Sequence, residues 1–318
     1  MEMLRYDFMQ RAFCAGALVA VVASVLGVYL MLRRQALMAD MLSHVSLAGI
    51  AAGAYLYVHP TIAGFVVAIL GAIAVEYVRR TYKTYSDVSV AIIMVGGLST
   101  AVILMSLSPS ANRSFSSYLF GSVVAVGRSE LVLMFCVAVA GALFFWLLRR
   151  PLYQMAFDEE TARTNGLPVS ALSMAFSVAT GMIVAAAMPI VGVLLVSALI
   201  VLPAALAIRI APSFAAALWI AAAVGVSGVF AGLTASYRLS TPPGGTIALS
   251  LLLVLIVGLF AKKIAVRASK RRGRVRGRAE GAGEAAKSAW LAETAGTAET
   301  AEITGESIPR WPKGTSIH

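Results

Sequence analysis

The chain has 318 residues, of which 59% are hydrophobic and only 13% charged, with a formal net charge of +11. A soluble domain carries about 25% charged residues, so a soluble enzyme or binding module is excluded. A transmembrane barrel would show alternating segments of about ten residues. None occur, and the expected class is an all-α, polytopic helical membrane protein.

In chain order, Met1 to Arg11 is mixed polar and the first apolar run is long enough to span a bilayer. The N-terminus therefore reads as a first span rather than a cleavable signal. Uncharged runs cover Ala12 to Leu32, Val88 to Ser108, Leu131 to Leu148, Leu167 to Ile208, Ser213 to Tyr237 and Leu239 to Ala261. One helix crosses the hydrocarbon core with roughly 20 residues. Met41 to Val75, uncharged apart from two histidines, is too long for one span and is divided at Pro60, where a helix cannot continue without losing a hydrogen bond. Leu167 to Ile208 is also too long, and Pro189 and Gly192 mark its break. The result is about nine spans: 12–32, 37–58, 60–78, 88–108, 131–148, 169–187, 190–208, 213–235 and 245–261. Eight remain if one segment is re-entrant.

Positive charge sets the expected orientation. Arg33, Arg34, Arg79, Arg80, Lys83, Arg149, Arg150, Arg163 and Arg209 fall on one face of a nine-span chain, together with the basic tail. The other face holds only Arg5, Arg11, Arg113, Arg128 and Arg238. This places the C-terminus in the cytoplasm and the protein in the plasma membrane. Cys14 and Cys136 each sit in an apolar span and read as small buried hydrophobes, with no disulfide framework.

The second span carries an acid and an imidazole, Asp40 and His44. Residues four apart share one helix face, and a carboxylate with an imidazole suits divalent zinc, manganese or iron. On spacing alone two readings stand: a structural Asp–His hydrogen bond inside the bundle, or part of a metal site. Ionisable residues at bilayer depth are costly and point to function. Ser43 and Ser46 add polarity, while Gly49 and Gly53 allow close helix approach. One pair supplies only two ligands, so another chain or distant side chains must complete a site. His59 reads as a loop histidine beside Pro60.

The stretch "FDEETARTNGLP", Phe157 to Pro168, separates two spans. Glu159, Glu160 and Ala162 predict a short acidic helix that ends at a glycine cap, Gly166. It reads either as an ordinary solvated loop helix or as a docking helix for a cytoplasmic partner. Lys262 to Arg278 carries nine Lys/Arg, a juxtamembrane pattern that favours anionic lipid over nucleic acid. The Ala/Gly/Thr/Glu-rich remainder has too few large apolar residues to pack and reads as disordered. The domains are thus a permease region, 1–262, and a basic segment with tail, 263–318.

Asp40-Met-Leu-Ser-His44 followed by Val-Ser-Leu-Ala-Gly49 resembles a segment of the metal-uptake ABC transporter permeases of the zinc, manganese and iron class. "YDFMQRAFCAG" (Tyr6 to Gly16) and "RRQALMAD" (Arg33 to Asp40) are similar to zinc permeases of Gram-positive bacteria. "YLFGSVVAV" (Tyr118 to Val126), "FDEETARTNGLP" and "VGVLLVSALIVLPAALA" (Val191 to Ala207) resemble later segments in the same order. The resemblance runs from about residue 4 to residue 262.

The resemblance implies the transmembrane subunit of a binding-protein-dependent ABC importer for a divalent metal, zinc first and manganese second. Many relatives carry proline where Ala48 stands, and the alanine is closer to the zinc type. The resemblance puts the metal site on Asp40 and His44. It puts the ATPase-coupling loop on Asp158, Glu159, Glu160, Ala162 and Gly166. The implied partners are a cytoplasmic ABC ATPase, an extracytoplasmic metal-binding protein and a second permease chain. No permanently bound cofactor is implied, only the transported Zn2+ or Mn2+. The chain has no G-x-x-x-x-G-K-[ST] phosphate loop, so ATP hydrolysis falls to a separate subunit. The rival classes are an intramembrane metalloenzyme, which would need more ligands and a general base, and a proton-coupled secondary carrier, which leaves the docking loop unexplained.

Overall fold

The computed structural model describes residues 7–81, 86–107, 116–122 and 127–264, and isolated positions beyond. Arg5, Tyr6, Lys83, Arg113, the end of "YLFGSVVAV" from residue 123, and nearly all of the tail, with Trp290, Trp311 and His318, lie outside the described residues.

Among the described residues, nine helices are long and apolar enough to cross a membrane. They are α1 (Asp7–Leu32), α2 (Ala36–Tyr55), α3 (Pro60–Thr81), α4 (Ser86–Leu107), α5 (Arg128–Leu147), α8 (Val169–Val191), α9 (Val196–Ile210 with a 3-10 turn at Val193–Leu195), α10 (Phe214–Leu239) and α11 (Pro243–Ile264). Two short helices, α6 (Arg149–Phe157) and α7 (Glu159–Thr164), link α5 to α8. The protein is an all-helical membrane protein with multiple spans, as composition predicts.

Enclosure differs sharply between spans. The most apolar window of α2 is 78% buried within the chain, and that of α11 only 17%. Hydropathy runs the other way, 1.3 for α2 and 2.4 for α11. The least apolar span is thus the most shielded from lipid, as polar groups at bilayer depth require. α2 packs mainly on α4 and α3, and α1 on α10 and α9. Small residues make the α2–α3 approach possible. A Cβ at Gly49 would lie 2.6 Å from Val67 Cβ and 2.8 Å from the Ala63 carbonyl oxygen, so a larger side chain would force the helices apart. On α1, Tyr29 is 1% exposed and stacks on Phe145 of α5, with ring centroids 5.2 Å apart at 9°.

Two expectations are corrected. Pro189 does not break its helix: α8 runs through it to Val191. The break falls at Gly192, whose φ of 83° lies in a region open to glycine and strained for other residues. Pro189 lies in the final turn of α8. Cys14 and Cys136 are not buried but exposed; each sits on an outward helix face, where an apolar span gives sequence periodicity little to distinguish the faces.

Candidate functional site

The expected pair lies on α2 where its spacing put it. His44 is 8% exposed as a residue, and Asp40 is half-buried, its side chain 32% exposed. Asp40 Oδ2 is 4.0 Å from His44 Nε2. That exceeds hydrogen-bond range, so the two side chains share a face without satisfying each other. His44 Nδ1 is buried and has no hydrogen-bond partner. Among the described residues Nδ1 thus has no partner and Nε2 faces the Asp40 carboxylate across a gap that a shared ion could fill. Metal–nitrogen and metal–oxygen bonds of about 2.0–2.2 Å reach across the gap. Ser43 and Ser46 are engaged elsewhere: Ser43 Oγ donates to the Ala39 carbonyl at 2.9 Å, and Ser46 Oγ to the Gly64 carbonyl at 3.2 Å. Among the described residues no group of three or more His, Cys, Asp or Glu side chains converges.

The acidic loop forms the expected helix, α7. The Asp158 carboxylate caps it, accepting from the backbone N–H of Glu160 at 3.0 Å and of Thr161 at 3.1 Å. The Thr161 hydroxyl also donates to it. The Thr161 bonds hold the Asp158 carboxyl below its usual range. At the other end, Gly166 adopts φ 80°, and its N–H donates to the Arg163 carbonyl at 3.1 Å. Ala162 is 1% exposed and packs into the main core, while Glu159 and Glu160 face outward. Capped at both ends and anchored at Ala162, α7 is a fixed acidic surface. His59 is exposed in the α2–α3 loop.

Sequence reasoning missed a third feature. Glu76 of α3 is 1% exposed. Arg79 lies 2.9 Å from its carboxylate and Arg80 3.1 Å. Ser177 Oγ of α8 donates to it at 2.9 Å. Ser173 Oγ accepts from Arg33 and from Arg79, each at 2.7 Å, and Arg80 also bonds Ser170. Arg33 lies over the Phe176 ring, 4.9 Å from its centroid. Burial pulls the Arg33 guanidinium down to about 10; Arg79 adds to this, and Glu76 and Glu159 oppose it. The network ties the α1–α2 loop, α3 and α8 together within the field of the acidic helix. Its signal was present as "EYVRR", a carboxylate three and four residues before two arginines at the end of an apolar run.

Residues 5–262 match the ABC 3 transport family. The chain is 34% identical over 255 residues to a "probable metal transport system membrane protein" of Treponema pallidum, covering 80% of this chain and 96% of that one. It is 27% identical over 248 residues to the "manganese transport system membrane protein MntC" of Halalkalibacterium halodurans, covering 78% and 85%. The solved structure described as "PsaBC from Streptococcus pneumoniae in complex with Fab" superimposes with a TM-score of 0.73 at 27% identity, covering 81% of this chain and 93% of that one. With a match across most of its length and the same helical architecture, the chain belongs to the ABC 3 transport family.

Proposed function

We propose that this chain is the transmembrane permease of a binding-protein-dependent ABC importer for a divalent metal ion, with Asp40 and His44 as ligands along the path. The observation that carries the metal reading is the His44 imidazole, buried in the most enclosed span with its Nδ1 unpartnered among the described residues and its Nε2 4.0 Å from Asp40. A neutral imidazole and a carboxylate suit zinc and manganese alike. Two ligands from one chain give incomplete coordination, and a second copy of the chain would supply the matching pair. Such a site holds an ion briefly, which suits passage better than storage.

Zinc is the first choice, from the sequence around Ala48. Manganese is the second reading, favoured by the name of the Halalkalibacterium relative. A separate cytoplasmic ABC ATPase would dock on Asp158, Glu159 and Glu160, with Ala162 and Gly166 fixing the helix that presents them. An extracytoplasmic metal-binding protein would deliver the ion. The positive-inside pattern supports a plasma-membrane protein with a cytoplasmic C-terminus.

The test is reconstitution of the chain in proteoliposomes with the ATPase that co-purifies with it. ATP-dependent accumulation of radioactive zinc or manganese supports the reading. Accumulation driven by a proton gradient without ATP would replace it with a secondary carrier.

A further inference from the structure

A groove of about 720 Å³ lies between α1, α5, α6 and α10, and neither Asp40 nor His44 lines it. Its floor is Tyr29 and Phe145, and its walls include Trp146 and Trp219, which are 69% and 79% exposed. At one end stand Arg149 and Arg150, both exposed, where α5 passes into α6. No acidic residue lines the groove. It therefore joins an apolar trough, at the end of two long apolar spans, to an adjacent pair of cations.

We propose that this groove binds one anionic glycerophospholipid, its phosphate on Arg149 and Arg150 and an acyl chain in the trough. Charge complementarity selects the occupant. A basic pair at a span's end draws an anionic headgroup, and tryptophans are at home at headgroup level. The trough below them opens on the faces of α5 and α10 that the chain leaves exposed, where lipid is the surrounding solvent. A soluble anion would satisfy the arginines but leave the aromatic walls uncovered. A zwitterionic lipid would fill the trough with no net charge for the pair. The site also sits one short helix away from α7, since α6 runs from Arg149 to Phe157 and Asp158 follows. A lipid held there would fix the start of the segment that carries the acidic helix.

The test uses the full chain in nanodiscs of equal parts phosphatidylglycerol and phosphatidylcholine, with retained lipid read by native mass spectrometry. The wild type should retain phosphatidylglycerol preferentially. The double variant Arg149→Gln/Arg150→Gln should lose the preference, by about fivefold for each arginine. Ala142→Trp, which fills the trough and spares both arginines, should lower retention of either lipid. Arg238→Gln, far along α10, should change nothing. Equal retention of the two lipids by the wild type would overturn the proposal. So would an unchanged preference in the double variant, or a disulfide between copies carrying Ala142→Cys in native membranes, which would show the groove closed by a second chain. Because the readout is bound lipid, failure here leaves the transport reading untouched, and failure of transport leaves the lipid result standing.

Discussion

Glu76 receives Arg79 at 2.9 Å and Arg80 at 3.1 Å inside a site where the carboxylate itself is 1% exposed. Breaking a buried ion pair by removing one partner costs about 3–5 kcal/mol, because the other charge is left uncompensated. Here the loss would leave Arg33, Arg79 and Arg80 facing one another. Glu76→Ala should lower the melting temperature of the purified protein by at least about 5 °C, and Glu76→Gln by less, since the amide still accepts hydrogen bonds. An unchanged melting curve for Glu76→Ala would show that the network holds nothing together.

Gly49 lets α3 close on α2. Gly49→Leu should disrupt that packing and reduce the amount of folded protein recovered from membranes by severalfold, read by size-exclusion chromatography. Gly245→Ala, at a glycine with open space around it, is the control and should have little effect. Equal recovery of Gly49→Leu and wild type would contradict the close approach.

Glu159 and Glu160 present an acidic surface on a capped helix. Reversing both to lysine should uncouple ATP hydrolysis from transport and reduce uptake by about tenfold or more, with insertion unaffected. Retention of transport-stimulated ATPase activity in proteoliposomes would rule out the docking role. Asp158 titrates below its ordinary value when folded, so its cap contributes fully above pH ~4 and is lost as pH falls through the lowered value. Hydrogen exchange at Thr161 should therefore quicken only in strongly acidic buffer, and Asp158→Ala should show fast exchange at neutral pH.

Truncation after Arg278 should leave transport within about twofold of the full chain. The residues removed lack the apolar periodicity needed to pack, and terminal segments commonly tolerate loss. Lys262 to Arg278 is kept because its charge bears on orientation. A truncated protein that inserts normally and does not transport would assign the tail a necessary role.

Much of this architecture was legible because the solvent is legible. Uncharged runs of bilayer length, divided at Pro60, marked the spans, and α7 was readable from its acids and Gly166. Periodicity failed where every face is apolar, so the exposure of Cys14 and Cys136 was invisible. Pro189 lies inside α8, and it is Gly192, at a φ of 83°, that sets the break. For the site, i,i+4 spacing placed Asp40 and His44 on one face, but it carried no information on whether they bond to each other. The 4.0 Å separation and the buried Nδ1 came only from packing against α3 and α4. Glu76 was overlooked because its partner Ser177 is about a hundred residues away and joins it only when α8 docks on α3.

The most direct test is metal uptake by His44→Ala and Asp40→Ala, each reconstituted with its ATPase at the wild-type level of assembly. Both variants should lose at least about tenfold in ATP-dependent accumulation of radioactive zinc and manganese while their melting temperatures stay within a few degrees of wild type. Wild-type uptake of both metals by both variants would contradict the ligand assignment.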